Sequence, residues 1–254
     1  MLILALAIVI VALIYFFIRK KSAALWHSPL LKQLLTQHIG FYNNLNDEDK
    51  NVFEQRVQRF LTDVRIEGLG FEIHDIDSIM VASSAVIPIF GFKGWTYRNV
   101  TNVLLYPDTF NNEFQFEGTN DRNILGMVGS GYMNGQMILS RSALVKGFSK
   151  NSGEENTGIH EFVHLLDKAD GATDGIPEIF LAHEYIEPWV KMMHQEIRNI
   201  EMDHSDINPY ATTNQAEFFA VVSEYFFKKP DQFQNNHPEL YAMLSKIFGQ
   251  HPAE

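Results

Sequence analysis

The chain has 254 residues, 46% of them hydrophobic, enough for one large domain or two small ones with real cores. A net charge of -11, with no Lys/Arg-rich patch beyond an N-terminal cluster, argues against nucleic acid as a partner. The absence of cysteine excludes disulfides and thiolate metal sites, so any metal must be held by histidine and carboxylate.

Residues 2–18 are entirely apolar and Arg19, Lys20 and Lys21 follow at once. As a helix this run spans roughly 26 Å, the short end of what a bilayer core needs. A secretory signal peptide would carry its positive charges before the apolar run. The expectation is therefore a single-pass transmembrane helix over 1–21, in the inner (cytoplasmic) membrane, with the cationic cluster and the rest of the chain in the cytoplasm. A polar tether over 22–44 would join it to one domain over 45–254.

Asn46 and Asp47 are placed to cap an amphipathic helix whose stripe is Val52, Phe53, Val57, Phe60, Leu61 and Val64. Between Gly68 and Ser140 the pattern shortens to strand-like runs at 71–74, 79–81, 100–106, 113–116 and 132–139, which predict a small mixed sheet. Residues 82–90 are ambiguous by period, and Pro88 sits awkwardly for a helix. The stretch 131–140, just upstream of the motif described next, is placed to serve as an edge strand that holds a substrate backbone. Residues 151–156 read as a solvated loop. From Ile159 onward the chain is mainly helical, with Pro188 near the start of a helix through Glu201 and a last helix at 240–248. The fold class is α+β with a helical C-terminal half.

The motif is His160-Glu161-Phe162-Val163-His164. On a helix, residues four apart lie one turn above each other, so His160 and His164 can aim two imidazoles at one zinc ion. Glu161, rotated about 100° away, would stand beside the metal as a general base. Asn156 or Thr157 is the candidate N-cap and Gly171 the stop.

A catalytic zinc usually takes three protein ligands and one open position. Glu217 is the best third candidate: it lies in a strongly apolar segment and shares a helical face with Ala220, Val221 and Glu224. The alternative is a surface carboxylate favoured by a helix N-terminus. Asp167 and Glu224 are the candidate acceptors for the second nitrogens of the histidines, although Asp167 reads equally as a solvated acid. Tyr210, after Pro209, reads on its own as a turn tyrosine.

The strings HEFVHLLD, DGIPE, NPYATTNQAEFFAVVSEYFF and HPELYAMLSKIF resemble the Mlc titration factor A family of zinc-dependent peptidases, whose metal site is similar to that of the anthrax lethal-factor protease domain. The similarity runs from about residue 45 to residue 252 and is densest in the last hundred residues. Tyr210 and Glu217 keep the family's spacing of seven. The resemblance implies a zincin-like domain, a helix over 82–90, Zn2+ held by His160, His164 and Glu217, Glu161 as base and Tyr210 as the hydroxyl that stabilises the oxyanion.

It implies a peptide or protein substrate, with action on short peptides or N-terminal residues as in an aminopeptidase, and it implies a transcriptional repressor as a partner. Two departures stand out: the family prototype has no anchor, and this chain has Ser130, Tyr132 and Arg141 where the family tends to carry an acid and a tryptophan. Two functions follow, a zinc peptidase or a binding module that sequesters a repressor. The base beside the histidines favours the peptidase, since a purely structural site has no use for it.

Overall fold

A computed structural model describes residues 29–110, 124–129, 135–149 and 153–253 of the chain. The first described segment, where a polar tether was expected, forms helices α1 (Pro29–His38) and α2 (Gly40–Asn44). Leu31, Leu35, Ile39 and Tyr42 are buried, because they recur at helical spacing and dock on the main core. Helix α3 (Asp47–Asp63) follows, its first turn acidic and its N-cap Asn46 accepting the Asp49 N–H at 2.9 Å. Phe53, Val57, Phe60 and Val64 of the expected stripe are buried, with Val52 and Leu61 at its edge.

After the short strand β1 (Arg65–Gly68) comes helix α4 (Asp75–Ile89). It absorbs 79–81, read from sequence as a strand, while 71–74, also read as a strand, lies outside any strand. Thirteen residues of α4 are buried on all faces, so no helical period shows in its sequence. Pro88 lies inside its last turn, and the Arg56 guanidinium of α3 donates to the carbonyls of Ile89 at 2.8 Å and Phe90 at 2.9 Å just beyond.

Strands β2 (Val100–Tyr106), β3 (Gly126–Val128) and β4 (Gly135–Ser140) complete a four-stranded mixed sheet of order β1-β2-β4-β3. The pairs β1–β2 and β2–β4 are parallel, and β3 runs antiparallel to β4. Strand alternation sends Val103, Leu105, Met137 and Leu139 into the main core, and Tyr106 and Ile138 into a small second cluster with Phe110 on the other face. The described part of the segment expected to form the edge is thus interior: β4 is paired on both sides, and among the described residues β1 and β3 are the outer strands, with β3 the one beside α6.

The remaining elements are helical: α5 (Arg141–Phe148), α6 (Thr157–Asp167), α7 (Ile186–Glu201), α8 (Gln215–Lys228), α9 (Pro230–Asn236) and α10 (Pro238–Phe248). Helix α6 packs between α4 and α8. Phe218, Phe219 and Phe226 of α8 meet Trp189 and Phe248, all fully buried, each aromatic contributing roughly 1.5–3 kcal/mol of apolar transfer. Gly175 holds the start of α8 close. At φ +76°, a Cβ there would lie 2.2 Å from the Gln215 carbonyl oxygen, and its own carbonyl accepts the Trp189 indole N–H at 2.7 Å.

The anchor expected over 1–21, the strand expected at 113–116, residues Ser130 and Tyr132, and the first part of the loop expected at 151–156 lie outside the described residues. Among the described residues no helix is long and apolar enough to cross a membrane. The most apolar, α4, spans about 22 Å against a bilayer core of roughly 30 Å, and its surface is consumed by the core. The localisation at the inner membrane with one transmembrane helix is corrected accordingly and is not retained.

Candidate metal centre

Two capped helices build the site. Asn156 caps α6 by accepting the Ile159 N–H at 3.0 Å, and the buried Ile159, Phe162, Val163 and Leu166 fix which way the helix rolls. His160 and His164 then stand on the other face, their ring centroids 4.7 Å apart. Asn214 caps α8 by accepting the Glu217 N–H at 2.9 Å, so Glu217 lies in the first turn. Both sequence readings of Glu217 meet here: it is a carboxylate at a helix N-terminus, and it is turned toward the histidines.

Ligand atoms of His160, His164 and Glu217 lie within 4.8 Å of one another. His160 Nε2 is 2.9 Å from Glu217 Oε2 and 3.1 Å from His164 Nε2, and His164 Nε2 is 3.5 Å from Glu217 Oε1. His160 Nδ1 faces Glu224 Oε1 at 2.7 Å. A carboxylate accepts, so Nδ1 carries a proton toward Glu224 and Nε2 is the nitrogen turned to Glu217 and His164. Nε2 of both histidines and the Glu217 carboxylate therefore converge on one point, where a shared proton or a metal ion holds them together. Burial opposes charge on His160, but Glu224 and Glu217 outweigh it and hold its pKa well above the usual histidine value. Burial likewise raises Glu217, and its bonds to the two histidines more than reverse this.

Glu224 is bound at both oxygens, because Oε2 also accepts the Asn156 N–H. It ties the N-cap of α6 to the inner ring of the site. Asp167 is buried as well, but its Oδ2 accepts the Gly175 N–H at 2.9 Å and its Oδ1 meets no hydrogen-bonding partner among the described residues, nor does His164 Nδ1. The pair expected between them is not formed. Burial pushes the Asp167 carboxyl up to about 6, with the Gly175 N–H pulling the other way.

Glu161 is 6% exposed and its pKa is raised, first by burial. It lies against β3, where Gly126 abuts its side chain. A cavity of about 470 Å³ opens beside it, lined among others by Ile124, Leu125, Gly126, His160, Tyr210 and Val221. Tyr210 sits on the rim, 54% exposed, its ring centroid 6.2 Å from that of His160. Burial and then Glu217, Glu161 and Glu224 raise its pKa, so its hydroxyl keeps its proton near neutrality. Sequence reasoning missed Gly126 as part of the site, because a glycine in a three-residue strand gives no periodic signal, and it named Asn156 as a candidate cap without its bond to Glu224.

Residues 18–249 match the profile of the family described as Glucose-regulated metallo-peptidase M90. The chain belongs to the M90 family. Mlc titration factor A of Cronobacter sakazakii is 30% identical over 239 residues, covering 89% of this chain and 86% of that protein. Mlc titration factor A of Escherichia fergusonii is 29% identical over 226 residues, covering 84% of each. An uncharacterised protein of Synechocystis is 27% identical over 237 residues, covering 88% of this chain and 85% of that one. M90 membership implies a metal, and the converging acceptors of His160, His164 and Glu217 are a donor set that fits one.

Proposed function

We propose that this M90 member is a zinc-dependent peptidase with a zincin-like site, in which His160, His164 and Glu217 hold the ion. The observation that carries this reading is the convergence of two imidazole nitrogens and one carboxylate from two helices on a common point, beside a buried fourth group, Glu161. Nitrogen and oxygen donors in this number suit zinc and leave a position open. A bound zinc would supply Lewis acidity, making water acidic enough to lose a proton near neutral pH and polarising a peptide carbonyl.

Glu161 takes the proton of the attacking water and later delivers it to the leaving amine, a task suited to a carboxyl whose pKa burial has raised. Tyr210 donates its hydroxyl to the oxygen on which charge develops. Glu224 fixes the ring of His160 and its tautomer. The edge strand β3 takes the substrate backbone by strand pairing, the role first assigned to 131–140.

The test is peptide-library cleavage by the full chain, with products read by mass, before and after a chelator. Cleavage abolished by chelator and restored by zinc is the expected result; chelator-insensitive cleavage, or none, contradicts the reading. The name of the relatives, Mlc titration factor A, favours a second reading in which the chain binds and sequesters a transcriptional repressor. Binding of that repressor by the Glu161→Gln protein, with no cleavage, would separate the two.

A further inference from the structure

Gly126 opens β3 opposite Leu139 of β4, at the point where the sheet edge meets α6. A glycine weakens a strand, and in a strand interior it marks a close approach of some other group. Here the group is Glu161: a Cβ on residue 126 would lie 2.6 Å from both Cγ and Oε1 of that side chain, and 2.8 Å from its Cδ. Those separations are far inside van der Waals contact, so one partner has to move. Backbone geometry does not call for glycine, since Gly126 is absent from the residues at positive φ.

The strand is the partner that cannot yield. It is paired with β4 along its length, the Leu125 carbonyl accepts the Ser140 N–H at 2.7 Å, and the Gly129 carbonyl accepts from Lys168 Nζ of the α6 C-cap at 3.2 Å. Glu161, in contrast, is held by rotatable bonds. Any side chain at 126 would therefore push the carboxylate away from its place beside His160 and His164, while leaving the His160 ring, bound to Glu224 and Glu217, and the His164 ring, facing Glu217, where they are.

We propose that Gly126 is a positioning residue: its missing side chain is the slot that sets where the Glu161 carboxylate stands. This rests on the reading of Glu161 as the base. It predicts a division of labour in which the metal site is built by α6 and α8, and the reach of the base is set by the sheet edge.

The experiment compares wild type, Gly126→Ala, Glu161→Ala and the double variant as full chains, assayed with a quenched-fluorescent peptide that wild type cleaves from a mixed library. Gly126→Ala should keep its zinc content and KM and lose kcat by roughly 100-fold, the lower range for a displaced general base. Its melting temperature should fall, and the same substitution should cause no fall in the Glu161→Ala background, where the slot is vacated. Should Gly126→Ala fail to fold, the double variant should fold. Unchanged kcat, loss of zinc from Gly126→Ala, or an equal loss of stability or folding in both backgrounds would overturn the proposal. Wild-type turnover by Glu161→Ala would overturn the base assignment itself, and that result does not depend on Gly126.

Discussion

Glu224 accepts the Nδ1 proton of His160 at 2.7 Å across the α6–α8 interface, while its other oxygen holds the Asn156 N–H at the start of α6. One carboxylate thus orients a donor nitrogen and anchors the helix that carries it. Removing such an acceptor lowers metal affinity by about 10–100-fold. Glu224→Ala should show that loss in a competition titration of zinc against a chelator, and an unchanged affinity would mean that the contact is only structural.

Glu161→Gln keeps the volume of the side chain and removes its basicity. The variant should retain stoichiometric zinc and lose kcat by roughly 10²–10⁴-fold. Turnover at the wild-type rate would remove Glu161 from the chemistry.

Tyr210→Phe deletes one hydroxyl from the cavity rim and leaves the ring. A single donor to a developing oxyanion is worth about 10²–10³ in kcat, with KM little changed. A change confined to KM would make Tyr210 a substrate-packing residue instead.

Asp206 accepts from the Tyr225 hydroxyl and Asn236 Nδ2, each at 2.7 Å, and from His237 Nε2 at 2.6 Å, which ties the loop before Tyr210 to α8 and to the α9–α10 junction. Burial alone would raise its carboxyl, but these donors bring it down from 3.8 to about 2. Because the folded value lies below the ordinary one, the stabilisation is present above pH 3.8 and is lost as pH falls toward 2. The side chain is 39% exposed, so solvent screening leaves about 1 kcal/mol of it. Denaturant unfolding of Asp206→Asn should show a deficit of that size at neutral pH that closes near pH 2, whereas a constant deficit would mean that charge is not involved.

The parts of the fold legible in the sequence are those with a local signal. Helix α6 follows from Asn156, the spacing of Ile159, Val163 and Leu166, and Gly171 just past a closing turn; β2 follows from the run Val100–Tyr106. Where the signal is absent the reading fails: α4 is buried on every side, so 79–81 looks like a strand, and α1 carries Leu31 and Leu35 in a polar setting that reads as a tether. The order of the sheet, and hence which strand is the edge, depends on pairings between distant segments.

The site divides in the same way. His160, Glu161 and His164 announce themselves by spacing, and the second carboxylate at Glu224 follows from the need of a buried acid for a partner. Asp167 reads in the sequence equally as an acceptor for a histidine and as a solvated acid, and it is neither: it is buried, and its hydrogen bond goes to Gly175, a residue whose place is set by the loop crossing over α8. Gly126 carries no signal of its own, since its meaning is the space it leaves for a side chain 35 positions away.

The central claim is that His160, His164 and Glu217 grip one divalent ion. Elemental analysis of the chain purified without chelators tests it most directly, run beside Glu217→Ala. Stoichiometric zinc in the wild-type protein, with most of it lost from the variant, is the predicted result. Wild-type protein free of metal, or a variant that retains as much as wild type, would contradict it.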